Sequence, residues 1–162
     1  SGAVHPRQLM SISGLDWQDC CLHELAPARL YALLAARESV FVVEQRCAYQ
    51  ELDGCDLSAR HLVAWQGGAV VACLRLLPPG GSRRVPAIGR VLVMPAWRGR
   101  GLGRTLMLRG LALAAAHYPG AEVCVSAQAR LQDFYVSLGF TATSGIYDED
   151  GIAHVDMRRP GD

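Results

Sequence analysis

The sequence predicts a single α/β (α+β) domain, with a mixed, mostly antiparallel central sheet of about six or seven strands flanked by helices. Three observations carry this prediction. Apolar runs of strand length and segments of helical period follow one another in the order β-α-ββ-β-α-β-α-β-β. Turn signals separate them, above all Gly67-Gly68 between two apolar runs, the mark of a two-residue hairpin. A strand–turn–helix unit at residues 87–118 opens a βαβ crossover, and a second hairpin ends the chain.

The elements follow in order. Residues 1–14 carry few periodic signals and are expected to be a lead-in to a domain at 15–160; Ser1-Gly2 reads as a tag scar. A first strand is expected at 16–22. Pro27 suits the first turn of a helix, and Leu30, Leu33, Leu34, Arg37 and Phe41 share one face of a helix at 28–44. Arg37 on that stripe either snorkels to the rim or aims its charge into a cleft. A polar loop at 46–59 holds Glu51, Asp53 and Asp56 around Gly54. Strands are expected at 61–65 and 69–77, then a Pro/Gly/Ser/Arg loop at 78–84. An apolar, β-branched run at 88–93 stops at Pro95, and a Leu/Ala-rich helix runs to His117. The remainder reads as a strand at 122–127, a helix at 131–138, a strand at 140–147, a turn at 148–151 and a strand at 153–159.

Composition narrows the function. The net charge is +1, so neither nucleic acid nor a membrane surface is expected as the main partner. All 16 basic residues are Arg, and the absence of Lys removes a lysine nucleophile. Six cysteines, two of them adjacent and two inside expected strands, read as reduced thiols of a cytoplasmic protein. No apolar run reaches the ~18 residues of a membrane span. The apolar content leaves room for a homodimer.

The block Arg98-Gly99-Arg100-Gly101-Leu102-Gly103-Arg104 joins a strand to a helix. Such a turn gathers free backbone N–H groups, a helix dipole and Arg charge at one spot, which makes an anion site and most naturally a phosphate site. A Walker loop needs Lys, and a dinucleotide turn needs an early βαβ unit; neither fits. The stretch from Val91 to Gly103 resembles the acetyl-CoA motif of the GNAT superfamily of N-acyltransferases. Phe134-Tyr135-Val136-Ser137-Leu138-Gly139-Phe140 resembles that superfamily's later Tyr-x-x-Leu-Gly-Phe pattern. The resemblance implies acetyl-CoA as co-substrate. The amides of Arg98, Gly99, Arg100, Gly101, Leu102, Gly103 and Arg104 would cradle its pyrophosphate. The backbones of Val91 and Val93, with Leu92 between them, would pair with the pantetheine arm. Gln128 stands where many members carry Asn against the cofactor, and Tyr135 would protonate the departing thiolate. A Glu base that some members place on the following strand is missing, since that slot holds Val123.

The segment from Val40 to Asp56 resembles the ElaA-like branch, which combines Val-Phe-Val-x-Glu-Gln with Glu-x-Asp-x-x-Asp. Glu44 and His61 are both candidates for the base, and a water chain is the third. The acidic loop is either self-capping or part of the acceptor site. Arg37, Phe41, Asp53, Asp56 and Arg75 are also similar to the N-terminal half of acyl-homoserine-lactone synthases, which implies that they line the acceptor side. Arg75 in an apolar strand needs a partner, and a pairing of Arg75 or Arg37 with Asp53 or Asp56 is expected. Cys47, Cys55 and His61 lack zinc spacing, and no metal is expected. The expected activity is acetyl transfer to a primary amine of a small molecule or peptide. The alternatives are a lactone-synthase-like acyltransferase and a non-catalytic acyl-CoA-binding module.

Overall fold

Eight strands and three α-helices are found among residues 11–162, which the computed structural model describes. The strands are β1 (Asp16–Cys21), β2 (Arg60–Gln66), β3 (Ala69–Leu77), β4 (Ala87–Val93), β5 (Val123–Gln128), β6 (Thr141–Ala142), β7 (Tyr147–Glu149) and β8 (Ile152–Arg159). The helices are α1 (Pro27–Arg37), α2 (Leu102–His117) and α3 (Gln132–Val136). One open, mixed sheet runs in the order β1-β2-β3-β4-β5-β8-β6, with β7 also on β8. Most of the expected lead-in lies outside the described residues; Ile12–Gly14 form a 3₁₀ turn, and Ile12 packs on the core.

Two expected elements differ. The helix expected at 28–44 is α-helical only to Arg37, and Glu38–Glu44 wind as a π-helix. Val40, Val42 and Val43 are stiff at χ1 and fit the tighter α turn poorly. At the junction the Ser39 hydroxyl donates to the Ala36 carbonyl at 2.9 Å, a back-bond that loosens a helix. The strand expected at 140–147 is divided into β6 and β7. Between them the Ser144 hydroxyl accepts the Asp156 N–H at 2.9 Å, so a side chain replaces a ladder bond. The following turn tightens to Asp150-Gly151, both at positive φ, as a two-residue hairpin requires.

Alternation along the strands divides the core into two layers. Leu74, Leu76, Ile88, Val125 and Met157 face α2, which buries Leu102, Leu106, Met107, Gly110, Leu111 and Ala114. A Cβ on Gly110 would stand 2.6 Å from Leu74 Cδ2, so glycine permits the close approach of helix and sheet. On the other face Val63, Trp65, Cys73 and Leu92 pack with Leu33, Ala36, Val40 and Phe41 of α1 and the π turn. That layer reaches only to β4. The same face of β5 and β8 carries the polar Ser126, Gln128, His154 and Asp156 beside Cys124 and Ile152.

Candidate active site

β4 and β5 run parallel but share a single pair, Ala87 with Cys124, and then diverge. The Met94 N–H pairs with the Val71 carbonyl on the β3 side. By strand alternation, Val93 and Val91 therefore turn their backbone groups towards the gap. Extended backbone inside a sheet with no strand partner is a ready template for an extended ligand. Opposite Leu74 the register slips between Cys73 and Arg75, which is a β-bulge in β4, and Arg90 within it has φ of 50°. The gap opens a continuous cleft of about 1070 Å³ reaching from Gly101 and Phe134 on the α2 side to Phe41 and His154 on the other.

The Arg/Gly turn closes one end of this cleft. Gly99 and Gly101 have φ of 78° and 76°, and no atom lies within 4 Å of the place a Cβ would take. Left-handed backbone with open space above it, at the N-terminus of a 16-residue helix, fits a phosphate cradle. The turn and the strand gap together offer donors for an anion and an extended edge for a linear ligand. Arg98 itself is committed to protein: Nε donates to the Val93 carbonyl at 2.9 Å, and both Nη atoms to Glu44 at 2.8 and 2.9 Å. This fork holds Glu44 as carboxylate below the usual range. Arg100 lies over the Trp97 ring at 5.1 Å, and Arg104 is exposed on the first turn of α2.

A cluster of three Arg and three carboxylates lies under the acceptor-side wall. Arg37 binds Glu51 at 2.7 Å and grips Asp56 through both Nη atoms at 2.6 and 3.0 Å. Arg75 binds Asp53 at 2.6 and 2.9 Å and Asp56 at 3.1 Å. Arg90 donates to the Glu51 carboxylate and to its carbonyl, both at 2.9 Å, and reaches Asp53 at 3.4 Å. Charges balance, which is what permits Arg37 to be 1% exposed. The Arg75 pair holds Asp53 well below the usual carboxylate range. Burial pushes Asp56 up, but its bonds to Arg37 and Arg75 outweigh this and leave it lowered.

Tyr135 lines the cleft from α3, its ring held edge-on by Phe134 and Phe140 at 5.2 and 5.7 Å. Burial pushes its phenol up to about 12. Gln128 donates to Gln45 at 3.2 Å across the cleft, and the Cys47 thiol to the Asp150 carbonyl at 3.2 Å, so two straps join the halves.

The expected residues Val91, Leu92, Val93, Arg98, Gly99, Gly101, Leu102, Gly103, Gln128 and Tyr135 meet at one cleft, with Phe41, Glu44, Asp53 and Arg75. Five others do not line it: Arg100 and Arg104 beside the turn, and three that lie beneath the wall. His61 is 1% exposed, and its Nε2 sits 3.1 Å from the Asp56 carbonyl, to which it donates. With its ring buried away from the cleft and Nε2 given to that carbonyl, it props the cluster; burial also lowers its pKa. Arg37 and Asp56 likewise lie beneath the wall, because α1 presses Arg37 onto the sheet. The paired roles expected for Arg75 and Arg37 with Asp53 and Asp56 are present. Among the described residues no group of three or more His, Cys, Asp or Glu is placed to hold a metal. Sequence reasoning missed Arg90, Glu149 and His154. An Arg beside Gly89 in an apolar strand was a signal for Arg90; nothing local told that β8 would lie against β5.

Residues 27–160 match the model of the acetyltransferase (GNAT) domain family. Protein ElaA of Escherichia coli K12 is 44% identical over 147 residues, 90% of this chain and 96% of that protein. A crystal structure of an acyl-CoA N-acyltransferase from Pseudomonas aeruginosa superposes with a TM-score of 0.85 at 47% identity, covering 90% of this chain and 99% of the other. A CoA-dependent acyl-homoserine lactone synthase, solved with SAM and isopentyl-CoA, shares the fold alone, with a TM-score of 0.77 at 16% identity over 92% of this chain and 84% of the other. The chain therefore belongs to the GNAT acetyltransferase family, on its ElaA-like branch.

Proposed function

We propose that the protein transfers an acetyl group from acetyl-CoA to a primary amine of a small molecule or peptide, by direct attack in a ternary complex. The observation that carries this is the cleft that passes through the sheet between β4 and β5. A thioester threaded from the α2 side would present its carbonyl to an amine arriving from the other face. The pyrophosphate would rest on the amides of the turn at residues 98–104, and pantetheine would pair with Val91 and Val93. A backbone N–H at the bulge would face the developing oxyanion, where a fixed donor is worth most. Tyr135 would protonate the CoA thiolate; a phenol raised to about 12 keeps its proton at neutral pH and has it to give. Arg98 and Glu44 would hold the turn against the π segment. Six free thiols, three of them buried, support a reducing, cytoplasmic setting.

The test is thermal melting with CoA and with acetyl-CoA, followed by an amine screen that reads free thiol. A rise in melting temperature with both ligands, as binding to the native state requires, together with amine-dependent thiol release, is expected. No rise with either would sink the proposal. A rise without release, with Tyr135→Phe changing nothing, would leave a binding module. Turnover with acyl carrier protein and S-adenosylmethionine would favour the lactone-synthase chemistry.

A further inference from the structure

The acceptor side of the cleft holds several carboxylates, and most are already spent. Glu44 is forked by Arg98, Asp53 by Arg75, and Asp156 accepts from the Tyr147 hydroxyl at 2.6 Å. Glu149 is different. Its side chain is 51% exposed, lines the cleft, and among the described residues has no Arg in salt-bridge range. One oxygen, Oε2, is 3.4 Å from His154 Nε2 and 3.5 Å from the Ser126 hydroxyl. His154 Nδ1 is 2.7 Å from the Ile152 carbonyl. A carbonyl only accepts, so Nδ1 carries the hydrogen, and Nε2 is the nitrogen with a lone pair to fill. The ring is only 11% exposed, and it stacks on Tyr147 with centroids 6.1 Å apart. Across the ladder His154 is in register with Gln128, which borders the strand gap. The cleft's histidine is thus His154, not His61.

We propose that Glu149 seats the ammonium of the acceptor and that His154 Nε2 takes its proton. This rests on the acyl-transfer reading above. The acceptor ammonium gives one proton through the Glu149 carboxylate to Nε2, and the positive charge it leaves on the imidazole faces that carboxylate. The freed nitrogen lone pair forms the N–C bond at the thioester carbonyl while the C=O electron pair moves onto oxygen. That pair returns as the C–S bond breaks, and the thiolate takes the Tyr135 proton. The second amine proton passes through solvent to restore Tyr135, and the imidazolium proton leaves to solvent. An ammonium and acetyl-CoA become an amide, CoA thiol and one released proton. Because the seat is a carboxylate, the acceptor class is a cationic primary amine rather than an alcohol or a neutral aniline.

The test compares two nucleophiles on the full chain with acetyl-CoA, by thiol release: n-butylamine, an ammonium at neutral pH, and methoxyamine, uncharged there. Glu149→Gln is expected to raise the KM for n-butylamine and lower kcat/KM about 100-fold, with a loss about tenfold smaller for methoxyamine. His154→Gln is of similar reach but has no basic nitrogen, so kcat for n-butylamine should fall with little change in KM. Glu149→Asp should restore part of the activity. The CoA-induced rise in melting temperature reports that each variant is folded; should Glu149→Gln fail to fold, Glu149→Ala carries the same nucleophile comparison. Equal losses on both nucleophiles, or no loss with n-butylamine, would overturn the assignment. No thiol release from the unmodified protein with either nucleophile, with CoA still bound, would overturn the acyl-transfer reading itself and the assignment with it.

Discussion

Replacing Asp56 by Ala tests the buried charge cluster where it is most connected. Asp56 accepts from Arg37 twice, at 2.6 and 3.0 Å, and from Arg75 at 3.1 Å, and its side chain is 8% exposed. Without it, three guanidinium groups share Glu51 and Asp53, and one positive charge is left uncompensated in the interior. Removing one partner of such a buried network costs about 3–5 kcal/mol. With a urea m-value of about 2 kcal/mol per M, the unfolding midpoint should fall by about 2 M at unchanged slope. The pH dependence has a defined sign. Asp53 and Asp56 are lowered in the fold, so the stability they add is complete above the unfolded carboxylate pKa of about 4 and is lost as pH falls below it. Asp56→Ala should flatten that acid limb as well as lower the plateau. A loss below about 1 kcal/mol, the size of a surface pair, would show that water reaches the cluster and that the reasoning is wrong.

Three further predictions concern the cleft. Tyr135→Phe should lower kcat about 100-fold and leave CoA affinity by calorimetry unchanged; the unmodified protein should show no alkaline loss from this group until the pH nears about 12. Gly101→Val forces a β-branched residue to a φ of 76° and puts methyl groups into the phosphate path, so CoA affinity should drop more than about tenfold and stability by roughly 1–2 kcal/mol. Arg90→Gly and Arg90→Ala both lose the bonds to Glu51 and Asp53, but only Gly accepts a φ of 50° freely. The Gly variant should therefore melt higher than the Ala variant by an amount equivalent to roughly 1 kcal/mol, which thermal unfolding of the pair would read.

Local pattern was enough for most of the frame. The apolar run at 69–77 and the glycines at 67–68 marked β3 and its hairpin, and the Leu/Ala run marked α2, because each depends on neighbours within a few residues. The π turn at Glu38–Glu44 was not legible: side chains at helical spacing look alike whether the chain repeats at four or five residues. The same limit divided the site. The Arg/Gly turn proposed as the phosphate cradle is contiguous, and its pattern could be read directly. Arg75 betrayed itself as a charge on an apolar strand. His154 and Glu149 sit on a late hairpin whose place beside β5 is decided by sheet order, and strand order is a long-range property. His61 misled for a related reason. A polar residue opening an apolar strand looks the same whether it faces a cleft or a buried carbonyl.

The most direct test of the central claim is a backbone amide NMR titration of the ¹⁵N-labelled protein with CoA. The account predicts that the amides of Val91, Val93, Gly99, Gly101 and Gly103 shift together and saturate at one common affinity, while those of β1 and α1 stay in place. Binding that moves other amides and leaves the turn and the open edge of β4 unshifted would contradict it.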